Sequence, residues 1–273
     1  HLRDWQVAVA ALPVFQPPKV PGIESRWWLR RIEPITGEPI PPGATGSLER
    51  DIPGTSWENT SALASIKTRQ QQWDFFTTAY HGYTPYSVTR VASPSPGQYI
   101  VTLEYVPGFE WSGGLSTTLD AVELHTEALY HHSYSGDDDD YINGLVGFMW
   151  NPDFLTDLLR CNQTHLIIEY SKEFMVKEQD PNSGFVSSSE PFRFGKNTLL
   201  AEYLMEISSQ DTAAITYIQN FDDMNGYLQL RAGRRFGNGV RLEAGIDILA
   251  GSGLYFGTWA NNDRIFINYE YNF

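Results

Sequence analysis

The densest group of potential ligands in this chain is "HHSYSGDDDD" at 131–140. Four carboxylates, Asp137, Asp138, Asp139 and Asp140, follow His131 and His132 there, and carboxylate oxygens suit hard cations. The run lacks the alternating ligand spacing and the glycine of a calcium loop, and an acidic surface run is ordinarily just solvated. These four aspartates are therefore weak metal candidates, and no cofactor is expected. His125 and Glu127, two apart, share a strand face, and with a nearby serine they would suggest a hydrolase. No activated Ser or Asn partner is readable, so the expectation is a protein that is not an enzyme. The glycine-rich "GSGLYFG" has no helix pattern after it, and a phosphate cradle requires one.

What remains is charge at two-residue spacing. An acidic set comprises Glu104, Glu123, Glu127, Glu169, Glu173, Glu202 and Glu206. A more basic set comprises Arg231, Arg235, Arg241 and Arg264, with Lys67 and Arg69, and Glu243 and Asp247 are interspersed with it. Opposed charged walls in a wet pore orient and select a charged or dipolar solute. The alternative is bracing between adjacent strands, with Arg241 beside Arg231 and Glu243, and Arg264 beside Asp247.

Strands must position these residues. "VRLEAGIDI" (240–248) places Val240, Leu242, Ala244, Ile246 and Ile248 opposite Arg241, Glu243, Gly245 and Asp247, because successive strand side chains point to opposite faces. "YLQLRAGRR", "TLLAEYLMEI", "HLIIEYSKEF", "QYIVTLEY" and "DAVELHTEALYHH" repeat the scheme. The last segment, "NDRIFINYEYNF", alternates too, with Phe266 the one apolar residue on its polar side. About twelve such segments are expected, near 5–15, 60–70, 72–83, 98–111, 117–132, 140–150, 164–175, 197–208, 211–221, 225–236, 239–251 and 262–273. Only "DFLTDLLR" (153–160) reads as a short helix.

Composition narrows the class. The net charge is −14 with a pI near 4.8, which argues against nucleic acid and anionic membrane surfaces as partners. Charged residues make up 19% and aromatic ones 14%. The longest apolar stretch, "LVGFMW", falls far short of the roughly 20 residues of a spanning helix. Cys161 is the only cysteine, so no internal disulfide forms. The opening His1 implies a removed signal peptide or a start inside a longer protein.

The connections sort by parity. Counted from the C-terminus, "FGNG", "SSQD", "WSGG" and the region around "RQQQ" are short. "GSGLYFGTWANN", "KEQDPNSGFVSSSEPFRFG", "SYSGDDDD", "TPYSVTRVASPSPG" and the Pro/Gly-rich 16–56 segment are long. "DDMN" and 151–163 break the alternation. Short turns at one end and long loops at the other mark a transmembrane β-barrel, whose strands are apolar toward lipid and polar toward the lumen. An even strand count puts both termini on one side. A soluble sandwich would alternate as well, but its turns need not sort this way. The fold class expected is all-β, an antiparallel transmembrane barrel forming one domain over 1–273. The 16–56 loop, carrying Trp27, Trp28, Arg26, Arg30 and Arg31, is expected at the pore mouth or in the lumen as a constriction.

The alternating last strand ending on Phe273 resembles the outer-membrane insertion signal of Gram-negative barrels. "LRAGRRFGNGVRLEAGIDILAGSGLYFGTWANNDRIFINYEYNF", "VELHTEALYHH", "GLVGFMW", "WDFFTTAYHGYTP" and "WQVAVAALPVFQPP" resemble the alginate-export and related porin families. The resemblance implies an outer-membrane location, passage of a small hydrophilic or amphipathic solute, and no catalytic residues. The partners it implies are outer-membrane lipid and lipopolysaccharide. It also leaves room for further strands ahead of residue 1. A non-conducting barrel that receives a partner is the alternative, with an outer-membrane hydrolase behind it.

Overall fold

The computed structural model describes residues 5–17, 45–95, 98–188, 193, 195–222, 224–237, 239–251, 256 and 259–271. The described chain is all-β. Its strands are β1 (Trp5–Leu12), β2 (Thr45–Asp51), β3 (Ser61–Gln70), β4 (Trp73–Tyr83), β5 (Val88–Ser95), β6 (Gln98–Glu104), β7 (Pro107–Leu119) and β8 (Val122–Ser133). There follow β9 (Asp140–Trp150), β10 (Gln163–Lys177), β11 (Asn197–Glu206), β12 (Asp211–Asn220), β13 (Asn225–Arg235), β14 (Val240–Ala250) and β15 (Arg264–Tyr271). Among the described residues a short α-helix, α1 (Asp153–Leu159), lies between β9 and β10, where the sequence places it.

Twelve strands form one antiparallel sheet in the order β1-β3-β4-β7-β8-β9-β10-β11-β12-β13-β14-β15. The order is linear, and among the described residues no pairing joins β1 to β15. With β2, β5 and β6 set aside, neighbours in the sheet are neighbours in sequence. Such a meander needs only local turns, because each strand pairs with the one just before it.

Three expectations need correction. The single strand expected at 98–111 is two: β6 ends at Glu104 and β7 begins at Pro107. "WSGG" is not a turn but the middle of β7. Trp111 Nε1 donates to Thr77 Oγ1 at 2.8 Å, and a Cβ on Gly113 would sit 3.3 Å from the Phe76 carbonyl oxygen. Glycine here permits close approach between strands rather than a reversal. The reversal falls at Asp120, which takes a φ of 53° that Asp tolerates better than most residues. The third correction concerns the long connections. Part of the 16–56 segment forms β2, and much of "TPYSVTRVASPSPG" forms β5. With β6 they make a separate sheet, β2-β6-β5, in which β2 runs parallel to β6. Arg26, Arg30, Arg31 and Phe273 lie outside the described residues.

The chain divides into two compact units. The first comprises His1–Leu115, Glu127–Gly144 and Glu173–Phe194. Its apolar core belongs mostly to the small sheet and its flank: Val88, Val101, Leu103, Tyr105 and Val106 are buried. Thr89 and Val186 exchange backbone hydrogen bonds, tying β5 to the β10–β11 connection. Phe15 packs its ring 4.9 Å from that of Tyr105.

The second unit comprises Ser116–Thr126, Leu145–Lys172 and Gly195–Phe273. It is a single sheet layer. Among its described residues only Ala214 and Leu249 are buried hydrophobics, while Ile215, Leu230, Leu242 and Ile246 are each about 40–50% exposed. Phe266, the residue that breaks the alternation, has a local reason. It pairs in register with Gly245, and its ring occupies the space a Cβ there would need. An aromatic ring laid over a cross-strand glycine restores the packing the glycine lacks.

Candidate functional site

The polar face of the second unit carries most of the charged residues singled out above. Register aligns Glu202, Thr216, Gln229, Asp247 and Arg264 in one row from β11 to β15. Thr216 Oγ1 donates to Glu202 at 2.6 Å, and Arg231 Nη2 donates to the same carboxylate at 3.3 Å. Asp247 accepts from Tyr227 and Gln229, each at 2.8 Å, and from Arg264. Two same-face positions along β14 from Asp247, Glu243 accepts from Arg241 at 3.0 Å. Arg231 therefore meets Glu202 within the same wall, two strands away, rather than across an opening. The row binds the sheet's polar face together in the manner of braces, each exposed pair contributing up to about 1 kcal/mol.

A second feature of this face involves three strands. His125 Nε2 on β8 lies 3.0 Å from Glu169 Oε1 on β10. The pair reaches across β9 over Gly147, where a Cβ would come 2.5 Å from His125 Nε2 and 2.8 Å from Glu169 Cγ. Gly147→Ala is expected to separate the pair and cost about 1–3 kcal/mol, the usual range for overpacking. A melting curve checks it, and a change under about 0.5 kcal/mol, typical of neutral surface substitutions, would show that the pair does not depend on this glycine.

Other sequence-singled residues are placed differently. Glu123 lies on β8, Glu127 on the same strand within the first unit, and Glu206 at the end of β11. Arg235 lies opposite Arg241 in register beside the β13–β14 turn. Lys67 and Arg69 are on β3, with Arg69 3.7 Å from Asp74. Glu104 is a correction: it ends β6 in the small sheet rather than lying on a strand of the large one. Arg90 pairs with it at 2.9 Å, yet burial outweighs that partner and pushes its carboxyl above the usual carboxylate range.

The aspartate run is the larger correction. Asp138, Asp139 and Asp140 are buried, at 2%, 4% and 7% exposure, and are not solvated. Asp138 accepts from Ser187 Oγ at 2.9 Å, Ser188 N at 2.9 Å and Ser188 Oγ at 2.6 Å. Asp139 accepts from Gln179 N at 2.9 Å, Arg193 Nη2 at 3.1 Å and Ser187 Oγ. Asp140 takes Ser133 N at 2.9 Å and His132 Nδ1 at 2.8 Å. Their oxygens are committed to the chain, and among the described residues no cluster of His, Cys, Asp and Glu suits a metal ion. Only Asp137 stays outside this network of carboxylate bonds; its backbone N–H donates to Ser135 Oγ at 3.3 Å.

The run thus clasps the β10–β11 connection. Arg193, 2% exposed, also reaches Glu173 Oε1 at 3.1 Å and lays its guanidinium 3.8 Å from the centre of the Tyr141 ring. Tyr141 stacks on His131 with 4.8 Å between ring centres. His131, 1% exposed, has its two ring nitrogens 3.4 Å from Glu110 and 3.9 Å from Asp138. Glu173 belongs to this buried cluster rather than to an open polar face. Arg193, Ser187, Ser188 and Glu110 escaped the sequence reading, since their partners lie some fifty residues away for Ser188. The one available signal was the serine run with a lone arginine following an acidic run.

No protein-family model matches the chain, and a search of curated proteins finds no match.

Proposed function

We propose that this chain is a transmembrane β-barrel, or a large part of one, in a bacterial outer membrane, and that it passes a small hydrophilic or amphipathic solute without catalysis. The observation that supports this best is the second unit's single-layer sheet. One face is apolar and uncovered; the other is knitted together by hydrogen-bonded charges. A soluble sheet buries its apolar face against a second layer, and exposed apolar area on this scale marks contact with a partner or with lipid. Lipid supplies that contact for barrel strands. The long connections β1–β3, β4–β7, β8–β9, β10–β11 and β14–β15 and the short ones at β3–β4, β7–β8, β11–β12 and β13–β14 follow the loop asymmetry of such barrels, with β9–β10 (long) and β12–β13 (short) the two departures from it. No described helix is long and apolar enough to cross a membrane, which says nothing about strands.

A folded barrel migrates differently in gels when unboiled. Absence of that shift, together with solubility without detergent, would overturn the reading. Conduction is tested separately in planar bilayers, where steady single-channel current is expected. The acidic balance of the wall gives weak cation preference. Replacing Glu123, Glu127 and Glu169 together with Gln is expected to move the reversal potential in a salt gradient toward anions. Each charge in a wet bore contributes up to about 1 kcal/mol, so the three together alter permeability by up to about a hundredfold, about 1.4 kcal/mol being a factor of ten. An unchanged reversal potential would remove these carboxylates from the solute's path.

The second reading, a barrel that does not conduct until a partner arrives, is favoured by one observation. Two connections that a simple porin leaves as loops fold here into the β2-β6-β5 sheet with its own buried core. Current that appears only on adding a partner would support it.

A further inference from the structure

The apolar face of the second unit is not level. Register aligns Met205, Ala213, Ala232 and Ala244 in one row across β11 to β14, and the adjoining row holds Tyr203, Ile215, Leu230 and Ile246. Methyl groups beside branched and aromatic side chains leave a trough of about 460 Å³. That volume lies within the range of clefts that hold small ligands, about 300–1,000 Å³. Two residues beyond Ala232 on the same face, Arg234 pairs with Asp211 at 3.6 Å with its side chain 57% exposed. Tyr269 and Tyr271 stand at the same end of the face, 68% and 49% exposed.

We propose that this trough holds one acyl chain of an anionic phospholipid whose phosphate meets Arg234. The inference rests on the membrane reading above. The floor and walls are almost all carbon, so a hydrocarbon chain loses little by entering. A flexible chain also follows a channel one side chain deep better than a preformed protein surface does. Charge complementarity identifies the headgroup. A guanidinium has five N–H donors in a planar fork, and Asp211 at 3.6 Å leaves donors for a phosphate. Exposed tyrosines beside it are the side chains that favour the headgroup level of a bilayer.

The test reconstitutes the protein into phosphatidylcholine vesicles containing a minor fraction of phosphatidylglycerol. It is then extracted in mild detergent and weighed intact by mass spectrometry. A single retained phosphatidylglycerol is expected. Ala232→Phe and Ala213→Phe, which fill the trough from two strands, are each expected to lower retention about tenfold. Arg234→Gln is expected to keep a bound lipid but lose the preference for phosphatidylglycerol. Should Ala232→Phe fail to fold, Ala213→Phe decides alone. The proposal is overturned if the wild-type protein retains no lipid, or if both filled variants retain it unchanged. It is also overturned if the extracted protein is a dimer that the filled variants convert to monomer, which would make the trough a contact between copies. Failure of the membrane reading looks different, because the protein would then not float with the vesicles at all.

Discussion

Replacing Arg193 with methionine is expected to cost about 3–5 kcal/mol, the range for removing one partner of a buried ion pair. The side chains of Arg193, Asp139 and Glu173 are only 3%, 5% and 5% exposed. Methionine preserves much of the volume over Tyr141 but leaves two carboxylates facing each other out of water. The loss is expected to concentrate in the β10–β11 connection, because Asp139 also holds Gln179 N and Ser187 there. Hydrogen exchange at the amides of 179–188 reads it directly, beside the melting temperature of the whole protein. Adding Asp139→Asn to Arg193→Met should recover part of the loss, since one orphaned charge is gone. A cost below about 1 kcal/mol, the value of an exposed pair, would mean that water reaches this cluster and the clasp is weak.

The second large effect concerns the other face. Leu242→Arg and Ile246→Arg place a cation on the apolar side of β14. In a bilayer Ile246→Arg costs about 2–4 kcal/mol near the midplane, and Leu242→Arg, in register with Arg234 and Tyr269 near the interface, about 0–1 kcal/mol. The folded fraction after insertion into phosphatidylcholine vesicles, read from the gel shift, is expected to fall accordingly. Asn268→Arg is the matched control. It lies on the polar face of β15, 3.4 Å from Glu243, where an arginine gains a carboxylate partner. Insertion of all three variants at the wild-type level would show that the apolar face does not meet lipid. Failure of Asn268→Arg alone would reverse the assignment of the two faces.

The alternation of side chains was legible because it depends only on the backbone. Any extended segment sends residue i and i+2 to one face, so Leu242 and Ile246 had to part from Arg241, Glu243 and Asp247 wherever the strand lay. Arg264–Asp247 spans the long β14–β15 connection and depends on the register of the folded sheet, whereas the pair Arg241–Glu243 followed as directly, since both lie on β14 two residues apart. The helix at Asp153–Leu159 was readable for the same local reason. Only the tertiary structure decided the rest. The β2-β6-β5 sheet joins segments from two separate connections, one of them in parallel, and no local period encodes such a pairing. "WSGG" reads as a turn by composition, yet Thr77 and Phe76 from the neighbouring strand hold it inside β7. The aspartate run shows the difference most clearly. Four carboxylates in sequence look hydrated or metal-binding because charge alone prefers water. Asp138 and Asp139 stay buried because Ser187, Ser188, Gln179 and Arg193 return from about forty to fifty-four residues away to supply the donors that water would have given.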